Sequence, residues 1–170
     1  MTEARERIDR AVSEAPGIHF NRLVQELDLA PGQVQYHVRK LCREDRVIDE
    51  SLYGRTHYYP PEFDDWERSV LALARRETTR DVLLYLLTEG SARPNEVTDA
   101  LDIARSTLSY HVDRMLEAGL VEKRRDDDNR VTLVPTRPED TLELLREVHP
   151  SLPARMTDRF ERLVDNLLGP

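Results

Sequence analysis

The chain has 170 residues, of which 39% are hydrophobic and 34% charged, and its net charge is −8 at pH 7. This length allows one or two compact domains, and no segment is apolar enough over a membrane-spanning length. A single cysteine excludes an intrachain disulfide framework, and the N-terminal residues lack a signal-peptide pattern. We therefore expect a soluble protein of the cytoplasm.

Lysine is almost absent from the chain. Lys40 and Lys123 are the two lysines among 25 basic residues, which leaves 23 arginines against 33 carboxylates. Many carboxylates with little lysine are typical of proteins from salt-loving archaea, where concentrated salt screens the repulsion between them. We predict a halophilic archaeal protein; the alternative is an acidic protein that avoids nucleic acid.

The first part of the chain has the apolar spacing of three helices followed by a hairpin. The predicted helices cover residues 2–15, 20–27 and 33–43, and the predicted strands cover 47–52 and 56–59. Pro31 suits the first turn of the third helix because its missing amide needs no partner there. Tyr53-Gly54-Arg55 predicts the reversal between the strands, and Pro60-Pro61 ends the unit.

The same order of elements returns later in the chain. A helical connector is predicted at residues 63–76, with Trp66 expected to fill the junction between two domains. Helices at 79–87, 95–101 and 106–117 and strands at 120–123 and 131–134 follow, and Gly119 suits the left-handed position past a helix end. Further helices are predicted at 141–148 and 154–168.

An internal repeat explains this recurrence. Tyr36-His37-Val38 returns as Tyr110-His111-Val112, and a displacement of 74 positions lays residues 20–47 over residues 94–121. Further identities are Asn21/Asn95, Leu27/Leu101, Asp28/Asp102, Ala30/Ala104 and Val47/Val121. Two copies are too few for a stacked solenoid, so they predict two small domains. We expect domains at 1–60 and 78–135, a connector at 61–77, and a C-terminal helical element at 136–170.

The order helix, helix, turn, helix and hairpin is that of a winged helix-turn-helix. The second copy, from Ser106-Thr107 to Glu117-Ala118-Gly119-Leu120-Val121, resembles the ArsR- and MarR-like superfamily of bacterial and archaeal transcription regulators. The first copy departs where Pro31-Gly32 replaces the serine-rich start and Asp45-Arg46-Val47 replaces Gly-Leu-Val. The resemblance implies a mainly α fold with small β-hairpin wings, two tandem winged helices and C-terminal helices.

A helix that enters the major groove must bury one face and present polar groups on the other. Val34, Val38 and Leu41 form the predicted buried face of the third helix. Glutamine can bond adenine edges, and arginine can bond guanine or phosphate. The candidate DNA-binding residues are Gln33, Gln35, Tyr36, Arg39, Lys40, Arg55, His57, Arg105, Ser106, Thr107, Ser109, Tyr110, Arg124, Arg125 and Arg130.

The two copies are not expected to bind DNA equally. Asp113 stands where the first copy has Arg39, and a carboxylate that faces phosphates is repelled. Asp126-Asp127-Asp128 at the second wing tip has the same effect, although arginines flank it. We expect direct base contact from the first copy; the second binds weakly, binds only the backbone, or faces protein.

The remaining reactive side chains have structural interpretations. His37 and His111 are interpreted as packing histidines, with DNA contact or metal ligation as alternatives, and Cys42 as a small buried hydrophobe rather than a redox or metal sensor. Tyr53, Tyr58 and Tyr59 pack the first wing or stack on nucleic acid. We predict no catalytic constellation, no metal site and no cofactor.

The predicted tail helix carries an apolar stripe of Met156, Phe160, Leu163, Val164 and Leu167. The resemblance implies dimerisation through terminal helices, so we expect a homodimer. The predicted function is a sequence-specific DNA-binding transcription regulator, not an enzyme, that binds double-stranded DNA and acts on the transcription machinery. The alternatives are an acidic winged-helix interaction scaffold, associated with chromosomes or RNA polymerase, and a switch with a small effector held near Trp66.

Overall fold

The computed structural model describes residues 2–148 and divides the chain into two compact units, Met1–Ala72 and Leu73–Pro170. Each unit combines helices with a small antiparallel sheet, so the predicted winged helix-turn-helix fold class is confirmed. The predicted helix at 154–168 and its apolar stripe lie outside the described residues. The division falls inside the predicted connector.

Unit 1 contains three helices and a three-stranded sheet. Its elements are α1 (Glu3–Glu14), β1 (Ile18–His19), α2 (Phe20–Leu27), α3 (Pro31–Arg43), β2 (Ile48–Leu52) and β3 (Arg55–Tyr59), followed by α4 (Asp65–Ala74), which runs across the division. All three predicted helices and both strands are present within two residues of their predicted ends. Strand β1 was not predicted.

Local side chains fix where the helices of unit 1 begin. The Thr2 hydroxyl accepts a hydrogen bond of 3.3 Å from the Arg5 amide, which satisfies one free donor at the start of α1. Pro31 occupies the first turn of α3, and the Gln33 side-chain oxygen accepts a 3.3 Å hydrogen bond from the Ala30 amide. Helix α3 therefore begins two residues before its predicted start.

The core of unit 1 joins the three helices to the sheet. Ile8 of α1, Leu23 of α2 and Val34 and Leu41 of α3 have no exposed surface, and Val38 is 4% exposed. The predicted buried face of the third helix is therefore confirmed. Full burial of each such side chain contributes roughly 1.5–3 kcal/mol to stability.

The sheet of unit 1 has the strand order β1-β3-β2 and is antiparallel. Ile18 of β1 pairs with Tyr58, and Leu52 pairs with Arg55 across a two-residue turn. Both turn residues, Tyr53 and Gly54, have positive φ, of 49° and 82°. This backbone matches the type I′ hairpin turn, whose twist suits two antiparallel strands.

The two faces of the β2–β3 hairpin are both covered. On one face, the Tyr59 hydroxyl donates a 2.9 Å hydrogen bond to the Arg68 carbonyl of α4, and Arg68 Nε donates to Glu50 at 2.8 Å. On the other face, Asp49, Thr56 and Tyr58 lie beside α3. The end of the hairpin that carries Tyr58 and Tyr59 is therefore packed within its own unit, whereas Gly54 and Arg55 at the turn are exposed.

Unit 2 repeats this order with a reduced sheet. Its elements are α5 (Glu77–Glu89), α6 (Pro94–Leu101), α7 (Arg105–Glu117), β4 (Val121–Arg125), β5 (Val131–Pro135) and α8 (Pro138–Val148). A single bridge between Ala92 and Leu133 takes the place of β1. Helices α1 and α5 begin 74 residues apart, so the structural repeat starts well before the segment in which sequence identity reveals it.

The core of unit 2 uses the predicted positions. Leu108, Val112 and Met115 of α7 are buried, and Leu142 and Leu145 of α8 are 2% and 0% exposed. Gly119 has φ of 73°, as predicted, and the equivalent residue of unit 1, Asp45, adopts φ of 57°. In both copies, the residue just past the end of the third helix therefore adopts the left-handed conformation.

Within residues 2–148, no helix is both long enough and apolar enough to cross a lipid bilayer.

We predict that Gly54→Ala destabilises unit 1 by about 1 kcal/mol, because a Cβ is disfavoured at positive φ. No atom lies within 4 Å of an added Cβ at Gly54, so the cost is conformational. Gly32→Ala is the control: its site is equally open, but it lies in α3 at ordinary helical φ. That variant is expected to gain about 0.5 kcal/mol. Denaturant unfolding followed by circular dichroism measures both, and equal effects would contradict the turn assignment.

Candidate nucleic-acid interface

The exposed face of α3 carries the residues that the sequence singled out. Gln33, Gln35, Tyr36 and Arg39 are exposed, and Lys40 is half-buried. The opposite face is held in the core of unit 1. An α-helix fits the major groove of B-DNA, which is about 12 Å wide. The face combines amide, phenol and guanidinium groups, which can bond base edges and phosphates.

Tyr36, a large aromatic side chain, is 54% exposed. The Lys40 ammonium lies 5.0 Å from the centre of its ring. A hydrogen bond from Lys40 and the charge of that ammonium lower the pKa of the Tyr36 phenol. The two side chains therefore form one exposed aromatic and cationic patch on α3.

Helix α7 presents the equivalent face in unit 2. Arg105, Ser106, Ser109 and Tyr110 are exposed, and Thr107 is half-buried. The Arg114 guanidinium lies 4.0 Å from the centre of the Tyr110 ring, and its Nη2 donates a hydrogen bond to the Tyr110 hydroxyl. The third helix of each unit thus carries an exposed tyrosine beside a cation.

The wing of unit 1 contributes one of its two candidate residues to the surface. Arg55 is exposed beside the turn, whereas His57 is 1% exposed and its Nδ1 lies 2.7 Å from the Gly17 carbonyl oxygen. The expected contact of His57 with DNA is therefore not compatible with its placement. Successive strand residues point to opposite faces, so His57 lies on the face away from Thr56 and α3.

The wing of unit 2 is exposed, but its arginines have partners of their own. Arg124 contacts Glu122 at 2.6 Å, and Arg125 Nη1 lies 3.3 Å from the Asn129 carbonyl and side-chain oxygens. The Asp126 carboxylate accepts hydrogen bonds from the amides of Asp128 and Arg130 at 3.0 and 2.8 Å. Asp126 therefore shapes the turn, a role that the sequence did not indicate.

The exposed charges of α3 and α7 differ in sign at two equivalent positions. Arg39 and Arg43 of α3 correspond to Asp113 and Glu117 of α7, and all four side chains are exposed. A third pair, Lys40 and Arg114, keeps its charge. The repeat has thus conserved the buried face of this helix while reversing much of the charge that it presents.

The paired histidines hold different contacts. His111 Nδ1 lies 2.9 Å from the hydroxyl of Thr79, which is fully buried on α5. The equivalent of Thr79 in unit 1 is Arg5, and His37 Nδ1 is buried with no hydrogen-bond partner among the described residues. Burial, reinforced by nearby cations, lowers the pKa of both histidines. His111 therefore has the hydrogen bond expected of a bonded packing histidine, whereas His37 Nδ1 lacks one among the described residues.

Cys42 is half-buried on α3, with the Asp49 carboxylate close to its thiol. Burial and the neighbouring carboxylate raise the pKa of the thiol to about 11. The pKa of the nearby Tyr58 phenol rises to about 12, mainly through burial. Among residues 2–148, no group of three or more His, Cys, Asp or Glu side chains is placed to hold a metal ion.

We predict that Cys42 reacts slowly with disulfide reagents, because only the thiolate is nucleophilic. A pKa of about 11 instead of 9.0 lowers the thiolate fraction at pH 8 roughly 100-fold. The measurement is the rate of thionitrobenzoate release from Ellman's reagent, with the same protein unfolded in urea as the control. Equal rates for the folded and unfolded chain would refute the assignment.

We predict that unit 2 loses stability as the pH falls below 6.5. The folded pKa of His111 lies below its usual 6.5, so the unfolded state binds more protons in this range. Unfolding free energies at pH 7.5 and 5.5 should therefore differ more in the wild type than in His111→Gln, which cannot titrate. A variant with an unchanged pH dependence would exclude His111 as the cause.

Two helix-turn-helix family models match the chain. One, described as an N-terminal HTH domain, matches residues 2–71, and another, described as a helix-turn-helix domain, matches residues 68–124. The uncharacterized HTH-type transcriptional regulator MJ1398 of Methanocaldococcus jannaschii is 24% identical over 131 residues, which are 77% of this chain and 33% of that protein. The chain thus spans about a third of the length of this curated relative.

Several solved structures of regulators are similar to the chain, with TM-scores below 0.5. The overoxidized AbfR bound to DNA has 17% identity and a TM-score of 0.43, with 81% of this chain and 91% of that chain covered. The transcriptional regulator Tm0710 from Thermotoga maritima has 19% identity and a TM-score of 0.41, with 78% and 79% covered. The two family models place a helix-turn-helix match on each unit.

Proposed function

We propose that this protein is a sequence-specific DNA-binding transcription regulator that reads double-stranded DNA mainly with α3 of unit 1. The observation that carries the proposal is the face of α3. There, exposed polar side chains and cations that form no ion pair within residues 2–148 lie opposite a buried stripe. The helix-turn-helix family matches and the name of the archaeal relative support it.

The placement of cations on α3 is the electrostatic argument. Several arginines in the described part of the chain form ion pairs with carboxylates, as Arg22 does with Glu26 and Arg68 with Glu50. Arg39, Lys40 and Arg43 belong to none of the ion pairs found within residues 2–148. In a chain of net charge −8, this is a local surface that attracts phosphate.

Individual side chains of α3 are suited to reading bases. Gln35 is free to bond adenine, and Arg39 can bond guanine with two hydrogen bonds. Gln33 also accepts a hydrogen bond from the Ala30 amide, so it is partly committed to the start of the helix. Arg55, at the exposed wing turn, is placed to reach the neighbouring backbone. We leave His57 out of the proposed contact set because of its burial.

Unit 2 has a weaker role in this proposal. Asp113 repels phosphate, and the side chains of Tyr110, Arg124 and Arg125 are engaged by their own neighbours. Arg105, Ser106, Thr107, Ser109 and Arg130 then supply backbone contacts at most. A two-fold homodimer through the C-terminal segment would present two strong and two weak helices to a palindromic site.

The acidic composition points to a haloarchaeal cytoplasm. Counterion release weakens as salt rises, so binding there depends more on base-edge hydrogen bonds than on a broad basic surface. A small cationic face on one helix of an acidic protein suits that condition. The regulator would act by occupying promoter DNA, and thereby block or recruit the transcription machinery, without catalysis or a cofactor.

A second candidate function is an acidic winged-helix scaffold that binds protein and reads no DNA sequence. The carboxylates of α7, Asp113 and Glu117, favour it for unit 2. The two functions can be distinguished by mutation. The regulator depends on the exposed residues of α3, whereas the scaffold depends on the equivalent residues of α7.

The equivalent positions of the repeat provide a matched test. We predict that Arg39→Asp lowers affinity for selected genomic fragments at least tenfold, since it removes a contact of about 1–3 kcal/mol and adds repulsion. Asp113→Arg is expected to raise affinity, because it gives α7 an arginine at the position where α3 has Arg39. Selected fragments are titrated across a potassium chloride series, and circular dichroism confirms folding.

Selective binding that survives high salt and fails in Arg39→Asp supports the regulator. Binding that is lost in Asp113→Arg but not in Arg39→Asp would transfer the reading role to unit 2. The absence of any selective fragment, together with a stoichiometric protein partner, would instead support the scaffold.

A further inference from the structure

A groove runs between α3 and the β2–β3 hairpin inside unit 1. Its volume is about 310 Å³, and it is lined by Gln35, Val38, Arg39, Cys42, Arg43, Asp49, Thr56 and Tyr58. The α3 residues repeat every three to four positions, so they form one face of the helix. This volume lies at the small end of ligand-binding sites.

Cations and neutral donors converge on this groove. Arg39 and Arg43 lie one helical turn apart, and neither guanidinium takes part in the ion pairs found within residues 2–148. Like charges at this spacing repel each other. The helix dipole favours Arg43 in the last turn, but Arg39 lies a turn earlier. The Gln35 amide adds an uncharged donor. The Thr56 Oγ1 lies 3.4 Å from the Ser51 Oγ, and when Ser51 donates to it the Thr56 hydroxyl is a second uncharged donor.

The groove also contains one carboxylate. Asp49 lies close enough to the Cys42 thiol and to the Tyr58 phenol to raise the pKa of both groups. It therefore repels a bare anion, but it can accept a hydrogen bond from a hydroxyl group. A ligand that carries both an anionic group and a hydroxyl satisfies both parts of the lining.

We propose that this groove binds a phosphate group, held by Arg39 and Arg43 with the Thr56 hydroxyl as a neutral donor. Guanidinium groups match phosphate oxygens in geometry and charge. The phosphate comes either from the DNA backbone or from a free phosphate ester whose sugar hydroxyl reaches Asp49. The first source rests on the proposed function; the second does not.

The two sources compete with each other. Gln35 and Arg39 line the groove and also belong to the proposed reading face of α3. A phosphate ester seated between α3 and the hairpin would occupy these side chains, so it would displace the duplex. A free ester in this groove is then an inhibitor of DNA binding that acts by direct exclusion.

Three substitutions test the groove in the full-length protein. Arg43→Gln and Thr56→Val each remove one donor, and Asp49→Asn removes the carboxylate. Arg10→Gln is the control, because Arg10 is an exposed arginine of α1 that does not line the groove. Each protein is titrated with a selected duplex over a potassium chloride series, and with adenosine 5′-monophosphate by calorimetry. Thermal unfolding checks that each variant folds.

Arg43→Gln is expected to weaken binding of the phosphate source about tenfold, as for a lost charge-assisted hydrogen bond. If the source is the DNA backbone, it also lowers the slope of log affinity against log salt by about 0.9. Asp49→Asn then strengthens duplex binding, because a repulsive carboxylate is lost. If the source is a free ester, Asp49→Asn weakens nucleotide binding, and the nucleotide displaces the duplex.

The proposal is overturned if Arg43→Gln and Thr56→Val match Arg10→Gln in both titrations. In that case, loss of duplex binding in Arg39→Asp would still support the regulator. Conversely, nucleotide binding that depends on Arg43, in a protein that selects no duplex, supports the groove and rejects the regulator.

Discussion

The burial of one stripe of α3 is the constraint on which the rest of unit 1 depends. Val34 and Leu41 are fully buried against Ile8 of α1 and Leu23 of α2. Each of these side chains contributes roughly 1.5–3 kcal/mol, so turning the helix about its axis would cost a large part of the stability of a small domain. Because successive residues advance by about 100° around a helix, a fixed inner stripe also fixes the outer one. The polar face that we assign to DNA is thus positioned by packing rather than by any contact of its own.

The two copies show that this constraint fixes the buried residues of the helix but allows its exposed residues to differ. Unit 2 keeps the inner stripe as Leu108, Val112 and Met115 and keeps the exposed tyrosine with its neighbouring cation. Its outer charges differ, because carboxylates replace the arginines of α3. A change at an exposed position has little effect on stability, so the surface can diverge while the core is retained. The same framework can therefore support a reading helix in one unit and a weak or protein-facing helix in the other.

The hairpin of unit 1 illustrates why strands were harder to interpret than helices. Tyr58 and Tyr59 are neighbours in β3, and both are buried, because Tyr58 joins the core formed by α1, α2 and α3 while Tyr59 contacts α4 on the other face. Both faces of such a strand are buried, so the alternation of side chains does not show which residues point to solvent. For this reason His57 was expected at the surface, although it is buried. Strand β1 has two residues, too few for a period to be visible, and its pairing with β3 joins segments 40 residues apart. The groove beside Asp49 and Thr56 arises from the same distant pairing, and no local pattern indicates it.

The sequence alone predicted the order of elements, the duplication and the buried stripe of each third helix. Helical periodicity is a local pattern, and the 74-residue repeat is found by comparing the sequence with itself. The sequence also determined the charge reversal between Arg39 and Asp113. Tertiary packing alone sets which side of the first wing lies beside α3, which histidine is hydrogen bonded, and which arginines form ion pairs with carboxylates. These properties depend on which segments, far apart in the sequence, pack together. No short sequence pattern shows which distant segments will be in contact.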